Sequence, residues 1–169
     1  NQISRRGTND FHAGGSFYWS PAELSSTYPD QYDNFGNLNN LNKQDNGWNY
    51  TLNAWAGGAL IQDTLFAYGL VSWTQTSSTT YSGGGNNTVT TSDQPKWLLK
   101  LDWNINENNL LEFTAISDKR DYESALYPEY TVDGEQVQGP YGGTSYSNFG
   151  GEAYILKYTG YLTDNFTLS

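Results

Sequence analysis

The stretch LKLDWNINENNLLEFT, residues 99 to 114, predicts a β-hairpin with one apolar face. Before its Asn-rich centre, Leu99, Leu101, Trp103 and Ile105 alternate with polar residues, and the alternation resumes after it. A period of two is typical of a strand whose two faces meet different surroundings. The segment from Asn106 to Asn109 is short enough to form the turn. Because the mean hydropathy of the chain is only -0.69, the hairpin raises the question of what its apolar face contacts.

The register of this hairpin is open to two solutions that keep like faces together. Asp102 lies opposite either Glu112, with a tight turn, or Thr114, with Trp103 then opposite Phe113. Directly opposed like charges are unfavourable, and aromatic pairs are favourable. We therefore predict the pairing of Asp102 with Thr114.

The composition suits one domain and excludes one kind of membrane protein. Of 169 residues, 36% are hydrophobic and 16% are aromatic. No apolar run approaches the roughly 18 residues of a transmembrane helix, but a transmembrane strand needs apolar residues only at alternate positions. The absence of Cys excludes disulfides and thiolate metal sites. The absence of Met leads us to expect a mature or trimmed part of a longer chain.

Charge and residue types argue against nucleic-acid binding and catalysis. The net charge is -10, whereas binding to phosphates needs a basic surface. His12 is the single histidine and no nucleophile motif accompanies it, so we expect no enzyme. The stretch DQYDNFG, from Asp30 to Gly36, distantly resembles a calcium loop but lacks EF-hand spacing. Calcium in a loop is the one cofactor alternative, and otherwise we expect none.

Alternating segments recur along the chain and predict an all-β, antiparallel fold. Long polar loops alternate with short turns. We expect six strands and the start of a seventh at about residues 9–19, 48–60, 65–73, 96–105, 111–115, 149–162 and from 166. The long loops are expected at 20–47, 77–94 and 118–147, the second of them mobile. Asp133-Gly134 in the third loop is a type I′ hairpin signal.

The tryptophans indicate which surroundings the apolar face meets. Four of them fall at the loop-side ends of successive strands, and Trp103 follows Trp97 by six residues, or roughly 20 Å. Aromatic girdles of a transmembrane barrel border an apolar band of comparable height, about 25 Å. We therefore predict an aromatic girdle that comprises Trp19, Trp48, Trp73, Trp97 and Trp103. A soluble sandwich with tryptophans capping its core is the alternative.

Lysine within the alternating strands predicts a wet interior. On the lipid face near mid-membrane, Lys100 would cost about 2–4 kcal/mol, so residues of its parity belong to the lumen. The lumen-facing candidates are His12, Asn49, Asn53, Lys96, Lys100, Asp102, Glu112 and Lys157. Aromatic residues on polar, Gly-containing loops are candidates for contact with a ligand or partner, and the alternative is that they pack the loops on one another. These candidates are Tyr28, Tyr32, Tyr81, Tyr127, Tyr130 and Tyr141.

The segment RRGTNDFHAG, residues 5 to 14, resembles the junction between plug and first barrel strand in TonB-dependent receptors. LFAYG, residues 65 to 69, and the opening hairpin resemble the strands that follow the junction in this family. The sequence of these motifs is most similar to Oar-like members. The resemblance implies a plug end at residues 1–8 and part of a 22-stranded transmembrane β-barrel at residues 9–169, with short periplasmic turns and long extracellular loops.

The resemblance also implies a location and partners. The protein would lie in the bacterial outer membrane, in contact with lipid and lipopolysaccharide, and would import a scarce ligand with energy from the TonB complex. Two alternatives belong to other classes. One is a passive porin or small structural barrel, and the other is a secreted all-β binding module.

Overall fold

A computed structural model describes residues 8–82, 86–132, 135–163 and 166–169. These residues form twelve strands and two short 3-10 helices. The strands are β1 His12–Ser20, β2 Gln31–Tyr32, β3 Leu38–Asn40, β4 Asn46–Ile61, β5 Leu65–Tyr81, β6 Asn86–Asn106, β7 Asn109–Ser117, β8 Arg120–Val132, β9 Glu135–Gln138, β10 Gly143–Phe149, β11 Glu152–Thr163 and β12 Phe166–Leu168. The 3-10 helices are Ala22–Leu24 and Asn42–Gln44. No helix in these ranges has the length and apolar character to cross a membrane.

One antiparallel sheet holds ten of the strands. Its main order is β1-β4-β5-β6-β7-β11-β12, while β8 pairs with β6, β9 and β10. The small β2–β3 pair is separate. The prediction of an all-β, antiparallel fold is confirmed. Within the described ranges β1 and β12 stand at the two edges, so these residues form an open sheet rather than a closed barrel.

β8 continues the line of β7 across a short interruption, and β11 continues the line of β10 in the same way. Asp93 pairs with Asp121 and Trp97 with Ser117, so β7 and β8 keep a single register along β6. The interruption lies opposite Pro95, which has no N–H to donate to a ladder. With β9 also counted as a continuation of the β10–β11 strand along β8, the sheet has six long strands and a short seventh, as the sequence predicts.

At the interruption, Asp118, between β7 and β8, and Gly151, between β10 and β11, form two hydrogen bonds in place of the regular strand pairing. The Asp118 N–H donates to the Gly151 carbonyl at 3.1 Å, and the Gly151 N–H donates to Asp118 Oδ1 at 2.9 Å. Gly150 has φ +80°, and a Cβ there would lie 2.3 Å from the Asp118 carbonyl oxygen. Only glycine suits this position, because both the backbone angle and the space exclude a side chain.

The loop predicted at residues 77–94 is wrong. β5 continues to Tyr81 and β6 begins at Asn86, so most of this segment is paired strand. Threonine is a good strand former, and its hydroxyls bond across the pair, as between Thr76 and Ser92 at 2.7 Å. The segment lacks apolar anchors, but cross-strand hydroxyl bonds take their place.

The predicted third loop is also largely strand. β8 begins at Arg120 and pairs with both β6 and β10. The predicted small hairpin is confirmed, since Val132 pairs with Glu135 at the β8–β9 connection. Asp133 and Gly134, which carry the type I′ prediction, lie outside the described residues.

Candidate functional site

The register sorts the predicted site residues onto two faces. Directly paired residues share a face, and neighbours along a strand alternate. The eight lumen-facing candidates fall on one face, which we call the polar face. The five girdle tryptophans fall on the opposite face, which we call the apolar face. That the polar face borders a lumen stays a prediction.

Burial is inverted relative to a soluble protein. Among the described residues, the buried hydrophobic set consists of Ala115 alone. The buried polar set is larger and comprises Asn87, Ser92, Lys100, Asp102, Glu112, Ser117 and Thr159. Soluble domains bury Leu, Ile, Val and Phe and almost never bury Lys or Glu unless these are paired. The apolar residues of this sheet lie instead on an uncovered surface.

A cluster of four charges lies at the centre of the polar face. Lys100 Nζ lies 3.5 Å from both Asp102 Oδ1 and Glu112 Oε1, and Lys157 Nζ lies 3.4 Å from Glu112 Oε2. Lys100, Asp102 and Glu112 are each less than a tenth exposed, whereas the Lys157 side chain is 55% exposed. We call these four residues the charge cluster, and its formal charge is balanced.

The charge cluster explains why the predicted hairpin register is wrong. Asp102 pairs with Glu112 and Trp103 with Leu111, not with Thr114 and Phe113. Two carboxylates about 5 Å apart repel by about 3 kcal/mol at an effective dielectric constant of 20, whereas opposite charges about 3.5 Å apart attract by about 4–5 kcal/mol before the cost of their desolvation. Lys100 makes two such pairs with buried carboxylates, and Lys157, whose side chain is 55% exposed, makes a third that solvent weakens. The prediction weighed the opposed pair without these neighbouring lysines.

The turn favours the same register. Asn106 pairs with Asn109, which leaves two residues between them. Asn106 Oδ1 accepts hydrogen bonds from the Asn108 N–H at 3.0 Å and from Asn109 Nδ2 at 2.6 Å. An Asn side chain that bonds the backbone two residues ahead is a common way to close a tight turn. The predicted short turn is therefore confirmed.

Two aromatic rings on the polar face pack over glycines. Trp55 and Tyr68 stack with centroids 6.4 Å apart. A Cβ on Gly14 would lie 2.9 Å from the Trp55 ring, and a Cβ on Gly57 would lie 2.8 Å from Tyr68. The rings thus cover the glycine backbone of the neighbouring strand, an arrangement that stabilises sheets where glycine leaves a gap.

An apolar row also crosses the polar face. Trp55 pairs with Leu70, Leu70 with Leu98, and Leu98 with Ile116. These side chains are half-buried or exposed. Four apolar side chains in one row on this face would be unfavourable in contact with water.

On the apolar face the aromatic residues follow an oblique line. The line shifts two residues along the strands from Trp97 to Trp73 and two more from Trp73 to Tyr50, which pairs directly with Trp19. The total shift is roughly 13 Å along the strands over roughly 14 Å of sheet. The line is therefore inclined by about 43° to the direction perpendicular to the strands.

The rings of this line contact one another and donate toward polar residues. Tyr50 lies 5.8 Å from Trp48 and 6.0 Å from Trp73, between ring centroids. Trp73 Nε1 donates to Asp93 Oδ1 at 2.5 Å, and the Tyr50 hydroxyl donates to Gln75. Asp93 lies two residues toward the loops from the level of Trp73, and Gln75 is the direct cross-strand partner of Tyr50. Rings with one apolar and one polar end are typical of a boundary between two media.

On the turn side of this line, the apolar face is uninterrupted along a nine-residue segment of each of three strands. These segments are 52–60 in β4, 65–73 in β5 and 97–105 in β6. Toward the turns, Trp103 and Tyr158 lie in one row through Leu111. On the turn side, the apolar face therefore carries aromatic residues in β6 and β11.

The loop tyrosines do not converge on one site. Tyr28 is 77% exposed and lines a cavity between the first loop and β5. Tyr32 lies apart in β2, and Tyr81 ends β5, where its N–H donates to Asp45 Oδ1 at 2.8 Å. Tyr127 and Tyr141 meet with ring centroids 6.0 Å apart. Tyr130 is exposed on β8.

The stretch suggested for calcium forms turns. Asp33 Oδ1 accepts from the N–H groups of Phe35 and Asn37, both at 2.8 Å, and Asp33 Oδ2 accepts from Asn37 Nδ2 at 2.9 Å. These hydrogen bonds, above all the one from the Asn37 side chain, lower the pKa of Asp33. Asp30 pairs with Lys43 at 3.3 Å. No group of three His, Cys, Asp or Glu side chains suited to a metal occurs in the part of the chain that the structure describes.

Sequence reasoning missed Asn87 and the cavity beside Tyr28. Asn87 is fully buried, and its Nδ2 donates to Gln138 Oε1 at 3.0 Å. It lies in the segment predicted as a mobile loop, so nothing in the sequence singled it out. The cavity brings residues 22–28 next to residues 78–80. Only the path of the first loop creates that proximity.

Comparisons of this chain with protein-family models, with curated proteins and with solved structures find no match.

Proposed function

We propose that this chain is part of an outer-membrane β-barrel transporter of the TonB-dependent receptor type, which imports a scarce ligand. The observation that carries the proposal is the inverted burial of the sheet. Three members of the charge cluster, Lys100, Asp102 and Glu112, are buried, while a band of Leu, Ala, Val and Trp lies uncovered on the other face. Lipid is the environment that such a face suits, and a polar lumen is the environment that the charge cluster suits.

The dimensions of the apolar band support a membrane location. Across the band, β4, β5 and β6 each contribute a nine-residue segment, with alternate side chains on the apolar face, and a transmembrane strand needs about 9–11 residues. The aromatic line slopes by about 43°, and strands of transmembrane barrels tilt by about 35–45°. If the strands tilt by the same angle from the membrane normal, the line of aromatic residues runs parallel to the membrane surface. The border then coincides with the headgroup region, where Trp and Tyr are favoured.

The apolar row on the polar face favours a plugged lumen over an open pore. In a water-filled porin, Trp55, Leu70, Leu98 and Ile116 would face water. A protein domain inside the barrel would cover them. The motif at residues 5–14 supports the same choice, because its resemblance is to a junction between plug and barrel.

Quenching by brominated lipid tests the membrane proposal. The intact protein is placed in vesicles as variants that keep one tryptophan, with the others replaced by Phe. Bromine on the acyl chains should quench Trp97 and Trp103 strongly and Trp55, on the opposite face, weakly. Equal quenching of Trp55 and Trp97 would contradict the assignment of faces. Recovery of the protein in a salt wash without detergent would support a secreted binding module instead.

Planar-bilayer recordings separate a receptor from a porin. A plugged receptor should show no steady conductance, whereas a passive porin should conduct at once. If the protein is a receptor, cells that lack TonB should no longer take up its ligand. Steady conductance together with TonB-independent uptake would overturn the proposed class.

A further inference from the structure

A cavity of about 550 Å³ lies between the first loop and the outer end of β5. Its walls are residues 22–23 and 25–28, residues 42–47, and residues 78–80. We call it the first-loop cavity. Its volume lies in the range of small-molecule sites, about 300–1,000 Å³. The loop-side position puts it beyond the aromatic line.

The walls of the first-loop cavity are tied together by hydrogen bonds. Asp30 Oδ1 accepts from the Lys43 N–H at 2.9 Å, and Asn42 Nδ2 donates to the Pro29 carbonyl at 2.9 Å. On the other side, Asp45 Oδ1 accepts from the Tyr81 N–H at 2.8 Å. The short helix Asn42–Gln44 is therefore held between the loop and β5. A cavity whose walls are held in place needs little ordering when a ligand binds.

Most residues of the walls have polar, uncharged side chains, and carbon atoms of the same residues contribute much of the lining surface. Hydroxyl groups come from Ser and Thr at residues 25–27 and 78–80, and amide groups come from Asn42, Gln44 and Asn46. Tyr28 supplies the aromatic ring of this lining, and it is 77% exposed. Such a surface offers many donors and acceptors beside one flat apolar ring.

The same walls argue against other ligand classes. An anion would meet Glu23 and Asp45, while the ammonium group of Lys43 is engaged by Asp30. A divalent cation would need a cluster of carboxylates, and none is found among the described residues. An apolar ligand would leave the hydroxyl and amide groups of the walls without partners.

We propose that the first-loop cavity binds a neutral oligosaccharide. The C–H face of a sugar ring stacks on Tyr28, and the sugar hydroxyls exchange hydrogen bonds with the hydroxyl and amide groups around it. This inference rests on the proposed function in one respect, because it assigns the ligand class of the receptor.

The test is binding of short neutral oligosaccharides to the intact protein in detergent. The probes are maltohexaose, cellohexaose, xylohexaose and mannohexaose, measured by isothermal titration calorimetry. At least one probe should bind. Tyr28→Ala should weaken that binding about tenfold, which corresponds to about 1.4 kcal/mol of stacking. Tyr28→Phe should retain it, because the ring is kept.

Tyr32→Ala is the matched control, because Tyr32 is an exposed tyrosine of the same loop that does not line the cavity. This variant should bind the probe as the unchanged protein does. Equal losses for Tyr28→Ala and Tyr32→Ala, or no binding of any probe, would overturn the inference. Either result would leave the lipid-quenching pattern intact, so failure of the ligand assignment is distinguishable from failure of the membrane proposal.

Discussion

Asn9 and Asp63 exchange two hydrogen bonds across 54 positions of sequence. Asn9 Nδ2 donates to Asp63 Oδ1 at 2.6 Å, and the Asp63 N–H donates to Asn9 Oδ1 at 2.9 Å. Asp63 has φ 57°, a left-handed conformation that Asp tolerates better than most residues. The segment before β1 is thereby joined to the β4–β5 turn.

Asn9→Ala should loosen that turn. Loss of a hydrogen bond worth about 1 kcal/mol should speed amide exchange at Asp63 about fivefold. Thr8→Val removes the local hydrogen bond from Thr8 Oγ1 to Asp10 and serves as the control. Hydrogen exchange by NMR or mass spectrometry measures both. Unchanged exchange at Asp63 in Asn9→Ala would show that the two bonds do not hold the turn.

Lys100→Met should destabilise the charge cluster strongly. It leaves Asp102 and Glu112 opposite each other and buried, and removal of one member of a buried ion pair costs about 3–5 kcal/mol of unfolding free energy. Adding Glu112→Gln should restore part of the loss. Urea unfolding from lipid vesicles measures the effect. Lys119→Met is the control, because Lys119 pairs with Glu152 at 2.7 Å on an exposed surface and should matter far less.

Gly14→Ala should disturb the ring of Trp55. The added Cβ would lie 2.9 Å from the ring, so the ring must move or the strands must shift, at a cost of about 1–3 kcal/mol. The emission spectrum of a variant that keeps Trp55 as its single tryptophan should change with it. Gly69→Ala is matched, since a Cβ on Gly69 meets nothing within 4 Å. An equal loss of stability in both variants would contradict the packing of Trp55 over Gly14.

Asp33 should titrate below the usual range of an aspartate. The hydrogen bonds from Asn37 lower its pKa in the folded protein. The turn is therefore stabilised by the carboxylate above the unfolded pKa, and that contribution is lost as the pH falls through the lower, folded pKa. Asn37→Ala should raise the pKa toward the usual value, and Asn39→Ala should leave it unchanged. Carboxyl ¹³C NMR measures each, and equal pKa values in the two variants would contradict the turn geometry.

The sequence predicted the faces of the sheet better than its pairing. Strict alternation around Lys100 separates polar from apolar side chains whatever the register, so its parity could be read directly. The pairing of Asp102 with Glu112 could not, because it depends on Lys157, 45 positions beyond Glu112 in sequence. Asn87 was missed for a similar reason, since only its pairing partners reveal that it is buried.

Strand length was underestimated where the chain has no apolar residues. Thr76, Thr90 and Ser92 offered no hydrophobic pattern, yet their hydroxyls bond across the strands. The first-loop cavity was out of reach of sequence reasoning altogether. The hydrogen bond between Asp45 and Tyr81 joins one wall of the cavity to the end of β5, and neither segment has a sequence pattern that predicts this contact.

The interruption opposite Pro95 divides two of the long strands, β7–β8 and β10–β11, each into two parts with separate constraints. On the turn side, every substitution must respect both the charge cluster and the apolar band. On the loop side of the interruption, the residues of β8, β9 and β10 belong to neither the charge cluster nor the apolar band. Evolution can therefore lengthen, shorten or exchange the outer portion while the inner portion keeps its sequence pattern. The boundary thus confines changes of strand length to the part of the sheet that can accept them.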